Sequence, residues 1–357
     1  MSASPPPHKR RSRWRDPRLW IGVVVTGVTL WLALRGVSFE AVWRDLARAN
    51  LWLAFGVSVP SYLAIVYFRS VRWRYLTDAI GDMPRAALFR ATAIGFMANN
   101  IFPLRIGEVV RAWQLSRETG APGAAVFGTI ILERVIDGVV VIGLAMVVFG
   151  TQTQGRGTAL AVGVPLLLAL SIPVAGVLLM RLAPERALAL VRAVLGPLAP
   201  ARITDAVVSL VGRVAEGLGS LQGGRHLFWV AFYSILIWLV LGVLPFLAAI
   251  VSLDISLGSL GRTLEAGYVV MAAVGIAVAV PSAPGFFGPY HLAAREALAR
   301  FGVADETALA VGTLAHAIFW LTTTALGLLV LRTRATGLDE IVNAAGDSSK
   351  GPEANRR

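Results

Sequence analysis

Glu133, Arg134 and Asp137 lie in the middle of an apolar run from Gly123 to Phe149. At about 1.5 Å of rise per residue, a helical Glu133 sits roughly 15 Å in from Gly123, at a depth where hydrocarbon tolerates charge least. Each such charge costs at least about 2.5 kcal/mol on insertion scales, so ionisable groups at this depth are functional candidates. One helical turn separates the two carboxylates, and Arg134 is close enough to Asp137 to pair. Two readings are open. The trio is either an internal ion pair joining two helices, or one wall of a cavity that receives a polar group. Its charges sum to −1, so one carboxylate is left over to balance a cationic moiety or take a proton.

A second group is Asn99, Asn100, Arg105, Glu108 and Arg111, where the apolar stretch Ala86–Pro103 breaks. Arg105, Glu108 and Arg111 recur every three residues and share one side of a helix predicted to start near Pro103. A helix start offers free N–H groups and a positive dipole end. Two arginines beside it suit a phosphate, which guanidinium meets with two hydrogen bonds. Asn99 and Asn100 add neutral donors. The plainer alternative is an interfacial loop with snorkelling arginines.

The third feature is Val280-Pro-Ser-Ala-Pro-Gly-Phe-Phe-Gly-Pro-Tyr290, centred on Pro284 and Gly285, which interrupts the apolar stretch 264–287. Its prolines lack N–H groups and its glycines permit close backbone approach, so a helix cannot continue through it. Irregular backbone at membrane depth survives only when buried in protein or lining a wet cavity. A proline kink is the alternative. His316, Trp320 and Glu265 are weaker candidates that fit packing roles as well. Arg69, Arg72 and Arg74 read as anchors of the preceding span at an anionic inner leaflet. Tryptophans 20, 31, 52, 73 and 229 fit interfacial belts.

The elements that must hold these residues are membrane helices. The 357 residues are 56% hydrophobic and only 15% charged, with a mean hydropathy of +0.69. A soluble globular chain carries about 25% charged residues, so an all-α polytopic integral membrane protein is expected. Six stretches read as full spans: Leu19–Leu34, Leu51–Phe68, Gly123–Phe149, Thr158–Met180, Leu227–Ile250 and Ala308–Leu331. The two broken segments enter from opposite sides. No cleavage site follows the first apolar stretch, which is expected to remain as a helix.

With the N-terminus inside and both broken segments returning to their own side, inside regions hold 25 of the 33 Lys and Arg and outside regions 7. That asymmetry places both termini in the cytoplasm, in a plasma (inner) membrane protein. The expected domains are a disordered basic tail (1–18), a transmembrane domain (19–335) with amphipathic cytoplasmic helices at 184–225, and a disordered tail (336–357). The net charge of +12 is assigned to loops beside anionic lipid rather than to nucleic acid. Zero cysteines exclude disulfides and thiol chemistry, and the four scattered histidines form no metal motif. No phosphate-cradling loop or hydrolase motif is present, so neither cofactor nor metal is expected and ATP-driven pumping is disfavoured.

Three motifs occur in order: Ile94-Gly-Phe-Met-Ala-Asn-Asn-Ile-Phe-Pro-Leu-Arg-Ile-Gly-Glu-Val-Val-Arg111, Leu132-Glu-Arg-Val-Ile-Asp-Gly138 and Pro281-Ser-Ala-Pro-Gly-Phe-Phe-Gly288. Together they resemble the flippase-like membrane domain of lysylphosphatidylglycerol synthases of the multiple peptide resistance factor type, over roughly residues 17–335. The resemblance implies movement of a lipid with a polar or phosphate-bearing head group between leaflets. It marks Asn99, Asn100, Arg105, Glu108, Arg111, Glu133, Arg134, Asp137, Pro284 and Gly285 as cavity candidates. Full-length synthases carry an aminoacyl-transferase domain after this region, and aminoacylation is not carried over to this chain.

The expected function is therefore non-enzymatic transport of a phospholipid or glycolipid. The competing functions are a membrane-embedded transferase acting on a lipid-linked donor, and a non-transporting partner of a lipid-modifying enzyme. A homo-oligomer is also possible.

Overall fold

A computed structural model describes residues 17–103, 105–151, 183–197, 224–279 and 282–332, with isolated positions between 179 and 212. Its helices run α1 (Pro17–Leu34), α2 (Phe39–Arg48), α3 (Leu51–Thr77), α4 (Arg85–Ile101), α5 (Gly107–Thr119), α6 (Gly123–Thr151), α7 (Pro184–Leu195), α8 (Gly224–Ile235), α9 (Leu244–Ser252), α10 (Leu260–Ala277), α11 (Pro289–Ala299) and α12 (Asp305–Arg332). There is no strand among the described residues. The protein is an all-α, multi-pass membrane protein.

Among the described residues, four segments have the length and apolarity of a span: Leu51–Ile80, Arg225–Ser252, Leu260–Ala277 and Asp305–Arg332. A bent pair, Gly22–Leu34 with Phe39–Arg48, makes a fifth candidate. Helix α6, at 29 residues, is as long as these and carries the charged trio in its middle. The expected span Thr158–Met180, the tail from 336 onwards and most of the expected amphipathic helix around 202–221 lie outside the described residues. Helix α10 is long enough to cross by itself, where the sequence suggested half of a broken segment.

Residues 35–50, expected as an external loop, contain a helix. Ser38 starts α2 by accepting the Ala41 N–H at 3.3 Å. The helix turns 80° from α1, buries Val42 beside Leu309 and Ala310, and leaves Phe39 and Trp43 exposed. An amphipathic helix nearly perpendicular to a span belongs in the interface plane.

The first broken segment is a helical hairpin. Gly95 on α4 and Gly107 at the start of α5 touch: a Cβ on Gly107 would lie 2.0 Å from the Gly95 carbonyl oxygen. At the far end, Arg90 on α4 pairs with Glu118 on α5. Contacts at both ends fix α4 and α5 as antiparallel neighbours, so the chain turns back between them. The structure corrects the expected helix start near Pro103. Helix α5 begins at Gly107, whose N–H donates to Asn99 Oδ1 at 2.8 Å. Arg105 lies in the turn itself, with a left-handed φ of 55°.

The second broken segment also folds back, with α10 and α11 packed together. Gly285, at φ 71°, supplies the left-handed conformation its tip requires. Helix α12 lies against α3, α4 and α11 and ties the two hairpins to one core. Val311, Leu314 and Ile318 of α12 meet Val269, Val270 and Leu298 there. A second core gathers Trp73, Leu88, Leu115 and Ile130 from α3 to α6. Between these two cores runs the polar network described next.

Candidate functional site

Helix α3 contributes Arg69 and Arg72, which stand on one face because three residues separate them. Helix α5 brings Arg111, and α6 brings Glu133, Arg134 and Asp137. Arg69 Nη1 meets Glu133 Oε1 at 3.1 Å and Asp137 Oδ2 at 2.7 Å. Arg72 Nη1 donates to Asp137 Oδ1 at 2.7 Å, and its Nη2 lies 3.3 Å from Glu133. Arg111 Nη2 approaches Glu133 Oε2 at 2.9 Å. Arg134 Nη2 reaches Glu133 at 2.7 Å and Asp137 at 3.2 Å. Glu133 thus faces four guanidinium groups and is wholly buried.

Neutral donors and rings complete the network. Trp238 Nε1 donates to Asp137 Oδ1 at 2.9 Å, and Arg72 Nη1 donates to Ser234 Oγ at 2.8 Å. Ser234 and Trp238 flank the start of a π-helical turn, Leu236–Leu241, which widens the span between α8 and α9 and directs Trp238 to the carboxylate. Arg111 lies 3.7 Å above the centroid of Trp73, whose indole donates to Thr129. A guanidinium stacked on an aromatic face keeps its in-plane donors free for anions.

Two corrections follow. Arg69 and Arg72 do not anchor the span end at a leaflet: both are buried and turned onto α6, and only Arg74 is partly exposed, beside Asp82. Trp73 is likewise buried rather than part of a belt, whereas Trp20, Trp31 and Trp52 are exposed. The charge balance then reverses. With Arg105 and Glu108, which pair at 3.2 Å and adjoin Arg134, the connected network holds five guanidinium groups against three carboxylates. Its surplus is two positive charges, not one negative. Neither carboxylate is spare, and Glu133 meets more guanidinium groups than any other carboxylate among the described residues.

The candidates from the first hairpin divide. Arg111, Arg105 and Glu108 join the network. Asn99 Oδ1 accepts the Gly107 N–H at the start of α5, and Asn100 Nδ2 donates to Thr323 and Thr324 at 2.8 and 2.9 Å, so both amides hold helices together and the Asn100 donor is already engaged. Pro284 and Gly285 sit at the other hairpin tip. The Gly285 carbonyl accepts from His316 Nε2 at 2.6 Å, and the next residue, Phe286, lies 5.9 Å beneath Arg105. The two tips therefore meet at Arg105. Trp320 joins them, with its indole donating to the Asn100 carbonyl and its ring beside Gly285. Glu265 lies on α10.

The network is closed on most sides. Arg69, Arg72 and Asp137 are at most 7% exposed in their side chains, against 32% for Arg134 and 24% for Arg105 and Glu108. These three form its lip. The two surface voids described lie elsewhere, at Leu32–Arg35 with Arg295 and around Asp45 and Leu253–Leu257.

The family described as lysylphosphatidylglycerol synthase TM region matches residues 19–327, nearly the whole described chain. The chain belongs to this family. As a member of the lysylphosphatidylglycerol synthase TM region family, it shares a membrane domain named after a lipid-modifying enzyme. It is also 26% identical over 322 residues to a protein of Haloferax volcanii named glycosyltransferase AglD, covering 83% of this chain and 51% of that protein. The chain spans about half the length of this curated relative. No solved structure matches it.

Arg69, Arg72, Ser234 and Trp238 are the site residues that sequence reasoning missed. A signal was available for the arginines: residues 69 and 72 share a helical face that 74 does not. Ser234 and Trp238 lie one turn apart on an apolar span. Nothing in their types marks them before the position of Asp137 is known.

Proposed function

We propose that this protein moves a lipid with a phosphate-bearing head group between the leaflets of the plasma membrane, with both termini cytoplasmic. The observation that carries the reading is the surplus of buried guanidinium at the junction of two helical hairpins. Several of its nitrogens, among them Arg69 Nε, Arg72 Nε, Arg105 Nε and Arg111 Nε, have no hydrogen-bond partner. Buried donors left unpaired cost about 1–3 kcal/mol each, more for charged groups, and a phosphate oxygen is their best acceptor. Interrupted helices whose broken ends meet are how transporters build substrate sites. In this reading the head group enters at the Arg105–Arg134 lip while the acyl chains stay in lipid. No covalent chemistry is assigned to the chain.

The test is translocation of a fluorescent anionic phospholipid in proteoliposomes, read by reduction of the outer-leaflet dye. Arg134→Gln is expected to slow the rate about tenfold, the effect of losing one charge-assisted contact. The variant should still elute as a monodisperse peak, since Arg134 is partly exposed. Wild-type protein that moves no more lipid than empty vesicles would sink the reading.

A second reading is favoured by the relative named glycosyltransferase, of which this chain matches about half. In it the chain presents a phosphate-linked lipid to a separate glycosyltransferase. Stable co-purification with such an enzyme, without translocation by the chain alone, would select it.

A further inference from the structure

The charge count goes further than phosphate. Ions in a low-dielectric interior must be neutralised nearby, because uncompensated charge there is far costlier than in water. The network described above carries two more guanidinium groups than carboxylates, and they share one connected set of ion pairs. A head group bearing one net negative charge leaves the set positive. A zwitterionic head leaves the whole surplus. A cationic aminoacyl head adds to it.

We infer that the head group is a dianion, a lipid phosphate monoester or a pyrophosphate-linked lipid, rather than a phosphodiester, zwitterionic or aminoacylated phospholipid. This rests on the transport reading above and narrows its substrate class.

Two further features agree with it. The rigid part of the network is already self-paired, with Arg69 and Arg72 each holding Asp137 at 2.7 Å. The unsatisfied donors are concentrated on Nε positions, those of the lip residues Arg105 and Arg134 among them. The lip carries adjustable charge. Arg105 and Arg134 flank Glu108 there, and Glu108 Oε1 itself has no hydrogen-bond partner. Glu108 therefore reduces the positive charge of the lip by one, and its replacement by an amide should raise anion affinity rather than lower it. A structural ion-pair network predicts the opposite, because loss of a partner only weakens it.

The experiment measures binding of short-chain phosphatidic acid, phosphatidylglycerol, phosphatidylcholine and inorganic phosphate to the full chain in detergent. Isothermal titration at about pH 8 keeps the monoester doubly charged. Wild-type protein should bind phosphatidic acid at least about tenfold more tightly than phosphatidylglycerol, and phosphatidylcholine weakest. Arg105→Gln should bring the first ratio close to one. Glu108→Gln should tighten phosphatidic acid severalfold.

Equal affinity of wild-type protein for phosphatidic acid and phosphatidylglycerol overturns the dianion inference and leaves phosphate-lipid transport standing. Inorganic phosphate binding as tightly as phosphatidic acid assigns the site to a free anion and overturns the lipid part. Failure to bind any of the anions overturns the transport reading as well. If Arg105→Gln does not fold, Glu108→Gln decides: unchanged or weaker binding of phosphatidic acid overturns the charge argument.

Discussion

Glu133→Gln is expected to be among the most destabilising single substitutions available, lowering stability by about 3–5 kcal/mol, the range found when one partner of a buried ion pair is removed. Four guanidinium groups converge on this carboxylate. Neutralising it raises the local surplus from two positive charges to three without changing the shape of the side chain. Fluorescence-detected size exclusion after a heat step provides the measurement. The variant should lose its monodisperse peak at a temperature well below wild type. A surplus of positive charge also predicts an asymmetry: Arg111→Gln, which lowers the surplus, should cost clearly less than Glu133→Gln. If the arginine variant proves the less stable of the two, the network is not limited by excess positive charge. That result would also weaken the anion-site reading.

The second large effect is expected at Gly107. An alanine Cβ would stand 2.0 Å from the Gly95 carbonyl oxygen and 2.5 Å from Asn99 Oδ1. The first of these is backbone and cannot swing aside, so α4 and α5 must separate. Overpacking typically costs about 1–3 kcal/mol, and loss of the Asn99 cap about 1 kcal/mol more. Because Arg111 lies one turn beyond Gly107, the shift also displaces a guanidinium from Glu133. Gly107→Ala should therefore lose both thermal stability and lipid translocation, whereas Gly56→Ala, within α3 with nothing near its Cβ position, should retain translocation. Full translocation by Gly107→Ala would show that the hairpin contact is dispensable.

Much of the fold was legible because hydrocarbon admits few solutions: long apolar helices, and breaks only where protein covers them. Apolar length located α1, α3, α6 and α12, and Asn99–Pro103 and Pro281–Gly288 marked the two hairpin tips. Glu133, Arg134 and Asp137 stood out because each is costly alone. Arg69 and Arg72 did not, since arginines at the end of a span are ordinarily satisfied by lipid phosphates. Only tertiary packing shows that this end of α3 is covered by α6 and α8. For the same reason the sign of the local charge was misread from sequence. It depended on residues 64 and 68 positions away from their partners.

That separation has a consequence for how the chain is made. Arg69 and Arg72 leave the ribosome 61 or more residues ahead of the carboxylates that neutralise them. At roughly 5–20 residues per second, the end of α3 waits several seconds without its partners. During that interval anionic lipids at the membrane surface are the available counter-ions. Insertion of α6 must then draw two arginines off the membrane surface and into the bundle. The order of synthesis thus makes arrival of α6 the committing step of biogenesis, and a nascent chain arrested before Gly123 should leave α3 open to protease.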